Sequence, residues 1–560
     1  MLDPRGGPAY RRAVTSAPEP SAAQPQPPVG APAGRPPGGG LIRSSLINSS
    51  LTLLSRFMGF GRDLVISYRM GASASPAADA FNTALAFPNL FRRIFAEGAF
   101  AAAFVPAYSK TLEAKGETEA DKIASDALAT LAASTIVLTV LAQLAMPWLM
   151  YAINPGYADD PEKFRLAIVL TQIAMPYLPC MAIYAHLSGV LNARGRFVLS
   201  AGAPTLLNLV MLLTVWPQTS AIDAAYAASW GVIIAGVAQA ALLLWGVRRT
   251  GAKVHFVLPR LTPEIKHLLA LAVPGAIAAS ATQINIFISG ILASHQNGAR
   301  SWLAAADRLY QLPLGLVGVA IGVALLPSLS RAVQSQNQAQ AQATMDQAIV
   351  FALALALPAA AALSAMPFFL IDALFTRGEF TPYDARQTAS ALLHYGWGVP
   401  AFVLARVLSP AFFARGDTRS PMRFALIAVA VNVVAGVVLF RLVGFQGIAA
   451  ATSIAAWVNV ALMVAALSRR GVYRPSIAAG GRLVRIGAAG AVFAALLAGA
   501  SHYRDMIQAG IAGLGIPVVG TKELALLAVV AVAGATYPVL LFVSRAITPT
   551  EIRAMTGRGR

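Results

Sequence analysis

Charged residues and cysteines are scarce in this chain of 560 residues. Asp, Glu, Lys and Arg make up 12% of it, whereas soluble domains carry about 25%. The one cysteine, Cys180, excludes an intrachain disulfide, and the six histidines lie in no CxxC, HExxH or phosphate-loop motif. A nucleophile beside a base and paired free carboxylates are also missing. We therefore expect no metal, no cofactor and no catalytic residues, and hence no enzyme.

Apolar residues are abundant instead. They make up 57% of the chain, and the mean hydropathy is +0.63. A membrane-spanning helix needs about 20 apolar residues, and hydropathy and helix breakers divide the sequence into fourteen such segments. The sequence therefore predicts an all-α polytopic membrane protein with spans at 44–70, 77–108, 125–153, 164–192, 198–217, 222–248, 264–293, 301–330, 343–373, 385–413, 420–441, 446–468, 483–501 and 523–544.

The first 43 residues differ from the rest. They contain ten prolines and seven glycines and have no hydrophobic period. Such a composition cannot bury enough surface to fold, and the segment lacks the uninterrupted apolar core of a signal peptide. We expect a disordered cytoplasmic tail.

Positive charge predicts the orientation of the spans. With the N-terminus inside, 28 of the 43 lysines and arginines fall on the inner side and nine on the outer side. Cytoplasmic loops are enriched in these residues, so both termini are expected in the cytoplasm. The same rule explains the net charge of +19 without a nucleic-acid partner.

Matches at a constant offset of 221 residues indicate an internal repeat. Pro179 corresponds to Pro400, and the triplet Ala-Arg-Gly at 193–195 recurs at 414–416. An even number of spans separates the copies, so both halves share one orientation, as in many transporters. The predicted divisions are a tail at 1–43, an N-lobe at 44–249, a linker at 250–263, a C-lobe at 264–470, a C-terminal helix pair at 471–545 and a tail at 546–560.

Ionisable residues are concentrated in the first two spans, between residues 55 and 109. An arginine at the bilayer centre costs about 2.5–3.5 kcal/mol, so these side chains must face a bundle interior or a water-filled cavity. Residues within about four positions of a span end are counted with the connections. The arginines deeper inside predicted spans are then Arg56, Arg62, Arg92, Arg93, Arg308 and Arg406.

Local ion pairs are the alternative use of these charges. Arg56 and Asp63 lie close to one helical face and could form a structural pair. Arg93 and Glu97 are one turn apart, which leaves Arg92 for the cavity. Both arginines of the second span could instead lie at the cytoplasmic end and extend into the headgroups.

The second half repeats the same choice. Asp307 adjoins Arg308, so an internal pair is again an alternative, while the repeat places Arg308 opposite the second span across a central cleft. Asp79 corresponds to Asp307 with a slip of about two turns. Arg406 lies in the middle of its span.

Several guanidinium groups around one cavity favour a phosphate ligand. Their planar fork binds phosphate oxygens in pairs and stays charged when it leaves water. The cations outnumber the neighbouring carboxylates by about three, so a diphosphate would neutralise most of the excess. A cation pathway would be expected to show the opposite charge.

Three stretches carry a resemblance to a known family: SRFMGFGRD at 55–63, DAFNTALAFPNLFRRIFAEGAFAAAFVPAYS at 79–109 and SWLAAADRLYQLPLGLVGVAIGVALLPSLS at 301–330. They resemble the lipid II flippase MurJ (MviN) family of the multidrug/oligosaccharidyl-lipid/polysaccharide exporter superfamily. The similarity runs from about residue 44 to the end, and the run RRIFAEGAF is its most specific part.

The resemblance implies fourteen helices, two six-helix lobes around a cationic cavity, and a C-terminal pair beside a lipid-facing groove. It also implies transport of lipid II, an undecaprenyl-diphosphate-linked disaccharide-pentapeptide, across the bacterial inner membrane for peptidoglycan synthesis. The expected partners are this lipid and the bilayer, with association with cell-wall synthesis proteins left open.

The resemblance further implies which residues matter. The functionally sensitive positions of the family match Ser55, Arg56, Gly59, Arg62, Asp63, Asp79, Asn89, Arg92, Glu97, Ser301, Asp307 and Arg308, and the family carries a cation at the position of Arg406. Of these residues, we expect Arg56, Arg62, Arg92 and Arg308 to bind the diphosphate. The others, together with Arg93, are expected to support the site.

Two other transporters and an enzyme are the rival interpretations. A flippase for another polyprenyl-diphosphate-linked sugar would need the same cationic cavity for the diphosphate. A cation-coupled drug exporter predicts an intramembrane carboxylate without an arginine neighbour and an apolar pocket, and the arginine-rich first and second spans argue against it. A membrane enzyme acting on the same lipid lacks candidate catalytic groups.

Overall fold

Helices form all the regular structure in the part of the chain that the computed structural model describes, residues 39–91, 100–335, 337–512 and 520–547. They are α1 Gly39–Met70, α2 Ala77–Phe91, α3 Phe100–Lys115, α4 Glu117–Leu144, α5 Met146–Ile153, a 3-10 helix Pro155–Asp159, α6 Pro161–Ala174, α7 Tyr177–Ala193, α8 Phe197–Gly202, α9 Pro204–Val215, α10 Ala221–Arg249, α11 Pro263–Ser294, α12 Ala299–Gln334, α13 Gln338–Ala365, α14 Pro367–Phe375, α15 Pro382–Gly396, α16 Val399–Phe413, α17 Arg419–Val443, α18 Gln446–Arg469, α19 Ile477–His502, α20 Arg504–Ala512 and α21 Thr521–Val543.

The predicted all-α polytopic fold is confirmed. Among the described residues, ten helical segments are long and apolar enough to cross a membrane. Three of these segments join two helices across a short break: α6 with α7, α8 with α9, and α15 with α16. The other four predicted spans coincide with α1, with α2 and α3, with α11 and with α12. The order of helices thus agrees with fourteen spans, and that number stays a prediction.

Two helix N-termini that lie 221 residues apart in the chain are capped in the same way. Asp160 caps α6 by accepting a hydrogen bond of 3.1 Å from the Lys163 backbone N–H. Thr381 caps α15 in the same way, and the Asp384 carboxylate completes a capping box there. A proline follows each cap at the first helical position, where its missing N–H costs nothing.

Two helix ends are alike at the same offset. Gly195 after α7 and Gly416 after α16 both have φ of 73°, a conformation that favours glycine. The next backbone N–H in each copy turns back onto the helix, from Arg196 to the Leu191 carbonyl and from Asp417 to the Phe412 carbonyl. The same local chemistry therefore recurs in both halves, as the proposed repeat requires.

Buried apolar residues of the described chain form four clusters, each lying mostly within one half. One cluster joins helices between α1 and α10 around Phe81, and another packs Phe104 against the first turns of α11. The second half is built around Trp302 and Phe412, which lie in a cluster joining α12 to α18. The helices α19 and α21 pack on α13 and α14 through Ile486 and neighbouring residues. The lobe boundaries stay predictions.

Candidate functional site

A cavity of about 850 Å³ lies where α1, α2 and α9 of the first half meet α12 and α16 of the second. It is polar because both halves direct long basic side chains into it. Among the residues proposed from the sequence, those lining this cationic cavity are Ser55, Arg56, Gly59, Arg62, Asp63, Asn89, Arg308 and Arg406.

Asp63 joins the two halves at the cavity wall. Its Oδ1 accepts from Arg62 Nη2 at 2.6 Å, and its Oδ2 lies 2.9 Å from Arg308 Nε. Arg62 also donates to the Asn208 side-chain oxygen at 3.1 Å. Asn208 in turn donates to the Ser55 carbonyl at 2.9 Å. The sequence allowed Arg56 to pair with Asp63, and Asp307 to pair with Arg308. In the structure, Asp63 bridges Arg62 and Arg308.

The four arginines differ in accessibility. The Arg62 side chain is 10% exposed, whereas that of Arg308 is 50% exposed, and Arg56 and Arg406 are also exposed. Arg406 donates to the Leu314 carbonyl on α12 at 3.0 Å. The buried arginine is thus held in place, and the other three can reach a ligand.

Arg56 on α1 lies against the backbone of α12. A side-chain carbon at Gly315 would overlap the Arg56 Nη1 atom. A residue without a side chain at this position therefore makes room for the guanidinium. Gly59 approaches Asn208 less closely, because a carbon added there would lie at ordinary contact distance, 3.5 Å from its amide nitrogen.

The cationic cavity has an excess of positive charge. Its described lining contains four arginines and one aspartate. Arg92, Arg93 and Glu97, which the sequence also proposed, lie outside the described residues. A dianionic group that entered would meet opposite charge on several sides and bind through charge-assisted hydrogen bonds.

Asp79 and Ser301 lie away from this cavity, at the end where α2 and α12 begin. Asp79 is fully buried, and its Oδ2 lies 2.6 Å from Lys163 Nζ. The same carboxylate accepts from the Gly298 N–H at 2.9 Å, the Ser301 N–H at 3.0 Å and the Ser301 hydroxyl at 2.7 Å. It therefore caps α12, where a negative charge is stabilising.

Further polar contacts extend this arrangement. Lys163 donates to the Asn297 side-chain oxygen, and Asn297 donates to the Ser73 carbonyl. The Ser73 hydroxyl donates to Asp384 at 2.6 Å. We call Ser73, Asp79, Lys163, Asn297 and Asp384 the terminal network. It ties the first half of the chain to the second at this end of the molecule.

The backbone reinforces the same junction. The Glu379 N–H donates to the Tyr68 carbonyl at 2.9 Å, so a loop of the second half satisfies the end of α1. Gly71 and Gly378, both with positive φ, allow the close approach, since a side-chain carbon at either would overlap a carbonyl oxygen across the junction.

Tyr157 supports the network from the 3-10 helix before α6. Its hydroxyl lies 3.3 Å from the Asp79 carbonyl, and Lys163 Nζ lies 4.6 Å from the centre of its ring. Burial, and then the neighbouring Asp79 carboxylate, raises the pKa of Tyr157 well above its usual value. The phenol therefore stays neutral and adds no charge to the network.

Asp307 and Asn89 complete the set of proposed residues. Asp307 accepts from the Gln311 side chain and lines a smaller cavity of about 490 Å³. Asn89 lines both cavities. In the described part of the chain, no group of three or more His, Cys, Asp or Glu side chains could hold a metal ion.

Sequence analysis missed several polar residues that the fold makes important. Lys163 and Arg300 were counted among the outer-side charges, yet Lys163 is buried against Asp79 and Arg300 lines the smaller cavity. Asn208 is an isolated amide within an apolar stretch. A buried polar residue in a span is itself a functional signal, and that signal could have identified Asn208.

Comparisons with known proteins relate the chain to one family. The family described as "Lipid II flippase MurJ" matches residues 66–510. A protein of Rhizobium meliloti named "Probable lipid II flippase MurJ" is 40% identical over 524 residues, which cover 93% of this chain and 97% of that protein.

Two solved structures share the fold. The structure titled "Lipid II flippase MurJ, inward closed conformation" superposes with a TM-score of 0.71 at 22% identity, and covers 89% of this chain and 99% of its own. An inward-facing MATE-family multidrug transporter of the MOP superfamily has a TM-score of 0.60 at 16% identity, over 76% of this chain and 98% of its own.

Proposed function

Because the chain belongs to the lipid II flippase MurJ family, we propose that it carries the undecaprenyl-diphosphate-linked peptidoglycan precursor from the inner to the outer leaflet. The observation that supports this most strongly is the cationic cavity between the two halves, with four arginines and one aspartate in its described lining. The names of the relatives identify the lipid, and the arginines of the cavity suit its diphosphate group.

The diphosphate is the part of the lipid that this cavity suits. Arg56, Arg308 and Arg406 are exposed, and a guanidinium binds phosphate oxygens in pairs without losing its charge. Arg62 would act from the wall, fixed by Asn208 and Asp63. We include Arg92 among the ligands on the strength of its place in the family pattern.

Movement would follow the principle of alternating access. We propose that both termini lie in the cytoplasm, which puts the terminal network at the outer end. The network then seals the outer side while the head group enters from the cytoplasm. Binding of an anionic ligand would offset the mutual repulsion of the arginines, so the inner side could close at lower cost and the outer end could open.

The remaining assignments follow from the same proposal. The segments 44–249 and 264–470 would move as two lobes, and the polyprenyl tail would stay in lipid beside the helix pair at 471–545. The site is the bacterial inner membrane, where proteins of cell-wall synthesis are the expected neighbours. The proposed role is transport without chemical change to the lipid.

Transport by arginine variants tests the proposal. We expect Arg308→Ala and Arg92→Ala, purified and reconstituted in liposomes, to flip labelled lipid II at less than a tenth of the wild-type rate. Arg441→Ala, which removes the same charge at the exposed end of α17, is the matched control and should transport normally. Normal transport by both cavity variants would overturn the proposal.

A flippase for a different polyprenyl-linked sugar is distinguished in cells. Depletion of the protein should cause lipid II to accumulate in the inner leaflet. Accumulation of another lipid-linked sugar, with lipid II unchanged, would reassign the substrate and keep the cavity mechanism.

A further inference from the structure

A second cavity borders the cationic cavity and has a different character. Its volume is about 490 Å³, and it shares Asn89, Tyr310 and Gln311 with the larger one. It extends towards the outer end, between α2, α11, α12 and α18. We call it the amide chamber, because its polar lining includes the side-chain amides of Asn82, Asn89, Asn154, Gln283, Asn285 and Gln311.

The two cavities differ in the net charge of their lining residues. The charged residues among the described lining of the amide chamber are one arginine, Arg300, and one aspartate, Asp307. Arg300 already donates to the Thr83 hydroxyl, and Asp307 accepts from Gln311. The chamber is therefore nearly neutral, whereas the cavity beside it has a large positive excess. A neutral pocket rich in amides suits a ligand that both donates and accepts hydrogen bonds.

Asn154 gives a second and independent indication of a polar ligand. Its side chain is fully buried and lines the chamber. The nitrogen donates to the Met150 sulfur at 3.1 Å, but the oxygen accepts no hydrogen bond from any residue that the structure describes. A buried acceptor without a partner is costly, and a hydroxyl or amide of a ligand would satisfy it.

We propose that the amide chamber binds the two N-acetylated sugars of the transported lipid. This inference rests on the proposed function. The first sugar is bonded directly to the diphosphate, so phosphates held by the arginines place that sugar at the wall shared by the two cavities. Hydroxyl and acetamido groups are neutral and donate and accept as amides do. The peptide carries carboxylates, which a neutral chamber does not favour.

Binding measurements with three lipids test this assignment. The probes are undecaprenyl diphosphate, the same lipid with the disaccharide but no peptide, and complete lipid II. We expect Asn285→Leu and, separately, Thr452→Val to weaken binding of both sugar-bearing lipids about fivefold, the loss of one buried hydrogen bond. Binding of undecaprenyl diphosphate should be unchanged. Asn459→Leu, which alters a half-buried amide of α18 outside both cavities, is the control.

The outcomes separate this inference from the proposed function. Equal losses for all three lipids, no loss for any, or a loss confined to the lipid with the peptide would overturn the sugar assignment. A wild-type protein that binds none of the three would instead contradict the proposed function itself. Asn285→Leu and Thr452→Val remove different groups on different helices, so a folding defect in one leaves the other to decide.

Discussion

Replacing Asp79 by asparagine should open the end of the molecule that the terminal network closes. The buried carboxylate lies 2.6 Å from Lys163 Nζ and caps the start of α12. Asparagine keeps the shape but removes the charge, which leaves the buried Lys163 ammonium without its counter-ion. Removal of one partner from a buried ion pair costs about 3–5 kcal/mol. A cost of this size that destabilises only the outward-closed state shifts the equilibrium between the closed and open states towards the open one by about 100-fold or more.

Thiol labelling from the outer side measures that shift. Cys180→Ala removes the only cysteine, and Gln311→Cys then places a single thiol in the wall of both cavities. In this background a membrane-impermeant maleimide should label the Asp79→Asn protein at least ten times faster than the parent. Adding Lys163→Met removes the stranded charge and should return the rate part of the way.

Two results would refute this reasoning. One is equal labelling of the parent and the Asp79→Asn protein when both have the same melting temperature. The other is a double variant that labels as fast as Asp79→Asn alone, which would show that the unpaired lysine is not the cause of opening.

The other predictions concern one position in the cavity and one outside the membrane. Gly315→Ala should fold normally but displace the Arg56 guanidinium, and calorimetric titration should show about fivefold weaker binding of undecaprenyl diphosphate; unchanged affinity would contradict binding of the diphosphate by Arg56 from its position beside Gly315. Hydrogen bonds from Ser420 and then Arg470 hold the pKa of Asp417 well below its usual 3.8, so its stabilising effect is present above that value and lost as the pH falls through the lowered pKa. Asp417→Asn should therefore lower the melting temperature at pH 7, with the difference shrinking below about pH 4; a difference that does not depend on pH would contradict the ionic origin.

The fold was accessible from sequence because membrane spans have a strong local signal. About 20 apolar residues between breakers are enough to locate a span, and the predicted spans coincide with the helices throughout the described chain. The repeated Ala-Arg-Gly triplets proved to be helix ends with glycine at φ of 73°. Both signals depend on residues close together in the chain, where sequence analysis is most reliable.

The partners of the charged residues could not be predicted in the same way. Helical spacing favoured Arg56 as the partner of Asp63, yet it is the Arg62 side chain that contacts Asp63, together with Asn208. Asp79 was expected to support the cavity, but its partners are Lys163 and the start of α12, which lie 84 and more residues away. Contacts of this kind depend on how the two halves pack against each other, and the hydropathy of the spans carries no information about that packing.

The identity of the cavity's ligand is tested most directly by a structure with the lipid bound. A cryo-electron microscopy map of the protein with lipid II should show both phosphates in the cationic cavity, within hydrogen-bonding distance of Arg56 and Arg308. Phosphate density anywhere else, whether in the amide chamber or on the lipid-facing surface alone, would contradict a mechanism in which the cavity arginines bind the diphosphate.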